Sequence, residues 1–482
     1  MSERKLSRRD FLRLAGVAAG AALAACQPQV VTQIVKETQI VKETEVVEKT
    51  VKETVVVEKE GATQIVEVEK VITPTPRPVS FSMQVDANEK VIAAHQAAIA
   101  SYQEMNPNVT IEVITEPMPG MDQIIPWLAA GTAPDCFRGA LNQGAIFGTK
   151  NVIFDMADYA KSMGVVDKFY ESVWKGYEFK DGQHWVLPSD TNTFALWSNP
   201  VMLEKAGIAA PPTNWTEFLD ACAKLAKPDP DPEKAEYAFG IPTTIGWTSF
   251  FMYWWIFREG SEWYDGKNFI FQEALAKAIT KLRLLITEGY LPHMDNWQDF
   301  WYKGRLAMEE YGQWVIPGDV PGPWNDNKPQ GKWEAPYERP YFTVTPLFKL
   351  EDDIPNYSIL AGFGYMMPKS NDEPEETFKF LIYQITDPEH GKMWVLPYNQ
   401  LPAVKKEVVT HEYLDTPIYQ AFTTQIQTAK PFSVYPEITQ LVDQVWPGLI
   451  LDALAGKKTP EQAIAEMVEI GTPIIQEAQS NR

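Results

Sequence analysis

Polar and apolar residues alternate through VSFSMQV at positions 79–85, and the pattern predicts a strand with one face buried. The next stretch, EKVIAAHQAAIASYQEMNP, spaces its apolar residues at three and four and predicts a helix, and NVTIEVITEP alternates again. A further helix is expected over MDQIIPWLAAG, leading into TAPDCFRG. A strand is expected to begin within DGQHWVLPSD, and TNTFALWSNPVMLEKAGI predicts strand then helix. Downstream, EALAKAITKLRLLITEGY reads as an amphipathic helix, GRLAMEEYGQW as helix then strand, SILAGFGYMMP as strand and EPEETFKFLIYQIT as helix. Alternation of this kind predicts an α/β fold with parallel sheets covered by helices on both faces.

The chain before position 79 follows different rules. SRRDFLRLAGVAAGAALAAC joins a basic start to a short apolar run and small residues, the order of an export signal, and the run is too short to span a membrane as a mature helix. Arg8 and Arg9, framed by Ser7 and Asp10, resemble the twin-arginine signal. Leu23, Ala24, Ala25 and Cys26 resemble a lipobox, which implies a signal peptide of residues 1–25 and lipid attachment at Cys26. From Gln27 to Pro78, units such as QIVKET and EVVEKT repeat β-branched pairs with Lys, Glu and Thr and end in TPTPRP. This stretch reads as a spacer, extended and poorly ordered, with a reach on the order of 100 Å if fully stretched. The address implied is extracytoplasmic, with the protein anchored to the cell membrane.

With 482 residues and 45% hydrophobic content, the chain has material for two cores of ordinary size. The net charge is −21, and the leader contributes five Lys or Arg against Glu3 and Asp10, so the exported chain is more acidic still. That balance argues against nucleic acid and against docking on anionic lipid. Beyond Cys26 there are only Cys136 and Cys222, too few for a disulfide framework, and both read as small buried residues. G-x-S-x-G, H-E-x-x-H, a phosphate-cradling glycine loop and C-x-x-C are all missing, and the five histidines lack ligand spacing. KPDPDPEK at Lys227 lacks the glycine and distal glutamate of a calcium loop and reads as a solvated turn. Neither a metal nor a cofactor is expected.

An ordered set of segments carries a resemblance. It comprises SYQEMNPNVTIEV, LAAGTAPDCF, DGQHWVLPSDTNTFALWSNPVMLEKAGIAAPPTNWTEFLDACAKLA, WYKGRLAMEEYGQW, LAGFGYMMPKSNDEPEETFKFLIYQITDPEHG, LPAVKKEV and LAGKKTPEQAIAEM. In this order, from about Val79 to the C-terminus, the chain resembles the extracellular solute-binding proteins of ABC importers, family 1, the sugar-binding group to which maltose-binding protein belongs. It departs from the pattern at Trp197-Ser198-Asn199, where Tyr-Asn is usual, and at Cys136, where an aliphatic residue is usual. The resemblance implies a type II periplasmic-binding-protein-like fold with two α/β lobes joined by a hinge: 79–190 plus 341–397, and 191–340 plus 398–482. It implies a monomer that binds a small solute in the cleft and hands it to permease subunits, with no catalytic residues.

Saccharides present flat C–H faces rimmed by hydroxyls, so their sites combine aromatic rings with planar polar side chains. By position in the family pattern, the candidates are Asp86, Asn88, Arg138, Asn142, Asp190, Phe363 and Tyr365 from the first lobe. From the second they are Asn192, Trp247, Gln313 and Trp314. Trp446 is a further candidate platform, whereas Asp135 reads as a loop brace and Trp254 and Trp255 as largely core. A neutral guest is expected; Arg138 is the one residue that would favour an anion. Two other classes remain: a lipid-anchored glycoside hydrolase, whose two carboxylates would stand about 5–10 Å apart, and a surface carbohydrate-adhesion protein.

Overall fold

The computed structural model describes residues 49–59, 62–72, 76–179, 182–231, 234–241, 245–292, 300–301, 304–315 and 342–480. Arg8, Arg9 and Cys26 lie outside them. The chain divides into two units, Met1–Pro76 and Arg77–Arg482.

In the first unit, strands β1 (Lys49–Lys59) and β2 (Ala62–Ile72) pair antiparallel from Lys49 opposite Ile72 to Lys59 opposite Ala62. These residues of the expected spacer are thus extended, as two paired strands. The repeat is even in length and so keeps its strand pattern, and its partner is the neighbouring copy. The register sets Val55 opposite Val66, Val56 opposite Ile65 and Lys52 opposite Glu69.

The second unit contains two core clusters. The first begins with β3 (Val79–Val85) and β4 (Val109–Thr115), which pair in parallel. The helix between them, Glu89–Met105, buries Val91, His95, Ala98, Ile99 and Tyr102 along one face. A bridge from Met83 to Cys136 joins this pair to β5 (Phe137–Ala140), which belongs to a three-stranded sheet with β6 (Leu187–Pro188) and β13 (Phe363–Met366). Helix Pro374–Thr386 covers the layer, and the Tyr102 hydroxyl donates to Glu376 across the helix pair at 2.6 Å.

The second lobe is built on four strands in the order β11-β8-β10-β9, with β8 at Phe194–Ser198, β9 at Tyr237–Gly240, β10 at Leu306–Gly312 and β11 at Thr343–Thr345. Both faces are covered: Phe194 and Leu196 enter one cluster, Ala195 and Trp197 the other. Against the first face lies helix Ile245–Arg258, in which every residue from Phe251 to Phe257 is buried. A helix apolar on all sides is a central helix.

Several expectations change here. The sheets are mixed rather than parallel, since β8 runs antiparallel to both β10 and β11, and β13 to both β5 and β6. Segments that cross between lobes return in the opposite sense and insert beside strands already present. GRLAMEEYGQW supplies no helix: it is β10 followed by a short 3-10 turn. Strand β11, expected in the first lobe, pairs with β8 in the second, and the chain reaches the first sheet only at β13. Val404 bridges Phe169 of the first lobe, whereas Phe422 stands 6.0 Å from Trp197 of the second-lobe sheet.

The lobes are stitched where the crossings run side by side. β7 (Asp190–Thr191) pairs with β14 (Leu401–Pro402), and Asn192 bridges Ala361. Gly362 has φ +142, and a Cβ there would stand 2.7 Å from the Asp190 carbonyl oxygen and 2.9 Å from Thr191 Cα. Only glycine allows so close an approach.

Candidate ligand-binding site

Beside that crossing lies a cavity of about 470 Å³, lined by Ala140, Asn142, Asn192, Trp247, Phe250, Trp314, Ala361, Gly362, Phe363, Gln400, Phe432 and Asp443. Its size and its balance of rings with a few amides suit a small ligand. Five of the candidates line it: Asn142, Asn192, Trp247, Trp314 and Phe363.

The rings come mainly from the second lobe. Trp247 opens the exposed end of the central helix at 39% exposure, large for tryptophan, and lies nearly parallel to Tyr311 at 6.0 Å. Trp314 follows β10 and lies 6.3 Å from Trp247. Its ring covers Gly312, where any Cβ would collide with it at 1.9 Å. Phe250 stands one turn beyond Trp247 and meets Phe432 at 5.2 Å. From the first lobe, Phe363 begins β13, next to Asn142 in the first turn of helix Leu141–Gly148.

The amides are held by one another. Gln313 is fully buried and donates from Nε2 to the Thr191 carbonyl at 2.9 Å and to Gln400 Oε1 at 3.2 Å; Asn192 Nδ2 donates to the same oxygen at 3.2 Å. Gln400 Oε1 thus accepts twice, and Gln400 itself lines the cavity. Gln313 is thus a support for the wall rather than part of it.

Three charged candidates lie behind Phe363. Arg138 is buried under that ring at 4.7 Å and under Tyr398 at 4.4 Å, donating to Asp190 at 2.6 Å and Asp86 at 3.1 Å. Burial opposes its charge, but Asp190, Tyr398 and Asp86 outweigh burial and raise its pKa. Asp190 and Arg138 are buried and absent from the lining. Tyr365 is buried edge-on to Trp394 at 6.3 Å.

Asn88 is a helix cap, accepting from the N–H groups of Lys90 and Val91 at 3.0 and 3.3 Å. Trp446 is corrected from platform to core: it is fully buried, stacks on Trp263 at 5.5 Å and donates to the Met467 carbonyl at 2.9 Å. Asp135 braces its loop, accepting from Ser82 N and Oγ at 2.7 and 2.9 Å, and Trp254 and Trp255 are core. Cys136 and Cys222 are buried free thiols whose pKa values burial pushes up.

Sequence reasoning missed Phe250, Gln400, Phe432 and Asp443. Helical spacing from Trp247 points to Phe250. The other three arrive from distant segments with no local signal. Among the described residues no cluster of His, Cys, Asp or Glu is placed to hold a metal, and no helix is long and apolar enough to cross a membrane.

Similar architecture occurs in solved structures. An ABC transporter solute-binding protein from Thermotoga lettingae bound with alpha-D-tagatose is 20% identical, with a TM-score of 0.64 over 82% of this chain and 99% of that one. The sugar-binding protein MalE from Xanthomonas citri is 16% identical, with a TM-score of 0.69 over 83% and 98%. An ABC substrate-binding protein from Listeria monocytogenes in complex with cycloalternan is 17% identical, with a TM-score of 0.64 over 83% and 99%. They share the two-lobed type II periplasmic binding protein fold. Comparison with curated protein sequences gives no match. Residues 86–390 match the family described as bacterial extracellular solute-binding protein, a family of binding proteins rather than enzymes, and the chain belongs to it.

Proposed function

We propose that this chain is the saccharide-binding component of an ABC importer, taking a sugar or oligosaccharide into the cavity beside the crossing strands and presenting the loaded form to permease subunits. The observation that carries this reading is the wall of Trp247, Trp314 and Phe363 interleaved with Asn142, Asn192 and Gln400. Indole and phenyl faces stack on sugar C–H faces, while side-chain amides both donate and accept towards hydroxyls. Ligand that touches both lobes favours their closed arrangement, and closure is the signal passed to the membrane. Tagatose and cycloalternan, bound in two of the similar structures, belong to the same chemical class. Cys26 is the proposed lipid attachment site and Arg8-Arg9 the proposed export signal, which would place the working protein outside the cytoplasmic membrane as a monomer.

The test is calorimetric titration and thermal shift with mono- and oligosaccharides. Saturating ligand at 100 times Kd raises stability by about 2.7 kcal/mol. Stabilisation by peptides or polyamines alone, with every carbohydrate inert, overturns the saccharide reading. Release of shorter products points instead to hydrolysis.

A further inference from the structure

The polar wall of the cavity is three amides and one carboxylate. Asp443 sits in Leu441–Val445, a single turn of π-helix inserted between helices Pro436–Gln440 and Pro447–Leu454. Such single-turn insertions are frequent at functional sites. Asp443 lines the same cavity as Trp247, Phe250, Trp314, Phe363 and Phe432. Among the described residues, no arginine or lysine lines that cavity.

Arg138 does not supply the missing cation. It lies behind Phe363 and is shared by two carboxylates, Asp86 and Asp190. Burial is the one cause acting on the Asp443 carboxyl, and it pushes the pKa up to about 6. Near neutral pH the cavity thus holds a largely ionised carboxylate with no arginine or lysine among its described lining residues, and the rings that share the lining present faces that are themselves electronegative. Neutral hydroxyls can donate to such a group, but they leave its charge in place. A protonated amine neutralises it and gains the ring faces as well. The chain's net charge of −21 adds a field that draws cations in.

We propose that the solute of this site is cationic, an amino sugar or a saccharide bearing a free amine, with the ammonium group held by Asp443 between aromatic rings. This rests on the saccharide reading above and narrows it. Competition calorimetry on the full chain at fixed ionic strength would use three probes of equal length: a glucosamine oligomer, its N-acetylated counterpart and a glucose oligomer. Choline is the fourth probe. The expected result is a preference for the free amine of about tenfold or more over both neutral oligomers, as a charge-assisted bond combined with a cation–π contact implies.

Asp443→Asn should collapse that preference to near unity, and Asp443→Glu should restore part of it. Thermal midpoints establish that each variant is folded. Neutral oligomers binding as well as the amine overturn the charge assignment and leave the saccharide reading standing. Choline binding that depends on Asp443, with no oligomer bound, upholds the charge assignment and overturns the saccharide reading. A preference that survives in both variants overturns the role of Asp443.

Discussion

Arg138 and Arg258 are buried in different lobes, each against aromatic rings and each paired with a carboxylate, yet their surroundings are finished to different degrees. Arg258 and Glu310 are both fully buried. Nη2 reaches the two Glu310 oxygens at 2.8 and 2.9 Å, Nη1 the Phe348 carbonyl at 3.0 Å, and the indole N–H groups of Trp254 and Trp255 complete Glu310 at 2.7 and 3.0 Å. Arg138 serves two carboxylates, while its own Nε finds no hydrogen-bond partner among the described residues. Burial outweighs Glu310 and lowers the pKa of Arg258, whereas the carboxylates and Tyr398 prevail over burial at Arg138. The second-lobe pair is a closed unit sealing a core. The first-lobe triad is electrically over-supplied with negative charge and lies against the crossing and the ligand cavity.

The largest expected effect separates these two roles. Arg258→Met leaves Glu310 buried without a cation and should cost about 3–5 kcal/mol, read as a lower urea midpoint, with ligand affinity of the folded fraction unchanged. Arg138→Met should cost less, because Asp86 retains some solvent contact, and should also weaken ligand binding as Phe363 loses its support. Equal costs, or an affinity loss from Arg258→Met, would break the comparison.

Acid provides the next test. His95 is buried between Gln384 and Tyr398, and His184 is stacked on Trp174 at 4.0 Å. Burial lowers both pKa values from 6.5 to about 4. The unfolded chain therefore takes up protons first as pH falls, so the stability these residues confer is complete above about 6.5 and lost on the way down to 4. The loss is roughly 3 kcal/mol per histidine. His95→Gln should flatten the urea midpoint profile across that window; an unchanged profile would remove His95 from the account.

Gly362→Ala tests the crossing that both lobes share. Its positive φ and the 2.7 Å approach to the Asp190 carbonyl predict a loss of about 2–3 kcal/mol. Thermal melting measures it, and a neutral result would show the crossing to be looser than drawn.

The smallest effect has the opposite sign. Glu309 is fully buried in β10, neither carboxyl oxygen finds a partner among the described residues, and burial pushes its pKa well up. Its folded pKa is raised, so its contribution to stability is present below about 4.5 and is lost as pH rises. Glu309→Gln should stabilise the protein at pH 8 by about 1–2 kcal/mol and change little at pH 4.5.

Local pattern was enough for elements whose partners are close in sequence. Helix Glu89–Met105 and the strands either side follow from apolar spacing. Strand order did not, because β8, β10 and β11 meet only after the chain has left and returned. At the site, Trp247, Trp314 and Phe363 stand at element ends, where a large ring has little core to fill, and that made them legible. Asn88 caps a helix, a task that asks for the same side chain as binding a hydroxyl. Asp86, Arg138 and Asp190, each named as a ligand candidate, pair with one another, and Arg138 and Asp190 are absent from the cavity lining. Gln400, Phe432 and Asp443 were out of reach, since only the tertiary path brings them to the cavity.

The hairpin near the start of the chain changes how distance is spent. Laid end to end, positions 49–72 would cover on the order of 80 Å. Because Lys49 faces Ile72, the same residues advance the chain by little more than one interstrand gap, about 5 Å. An isolated pair of strands is only marginally stable in water, so a modest pull can unzip it and pay out that slack.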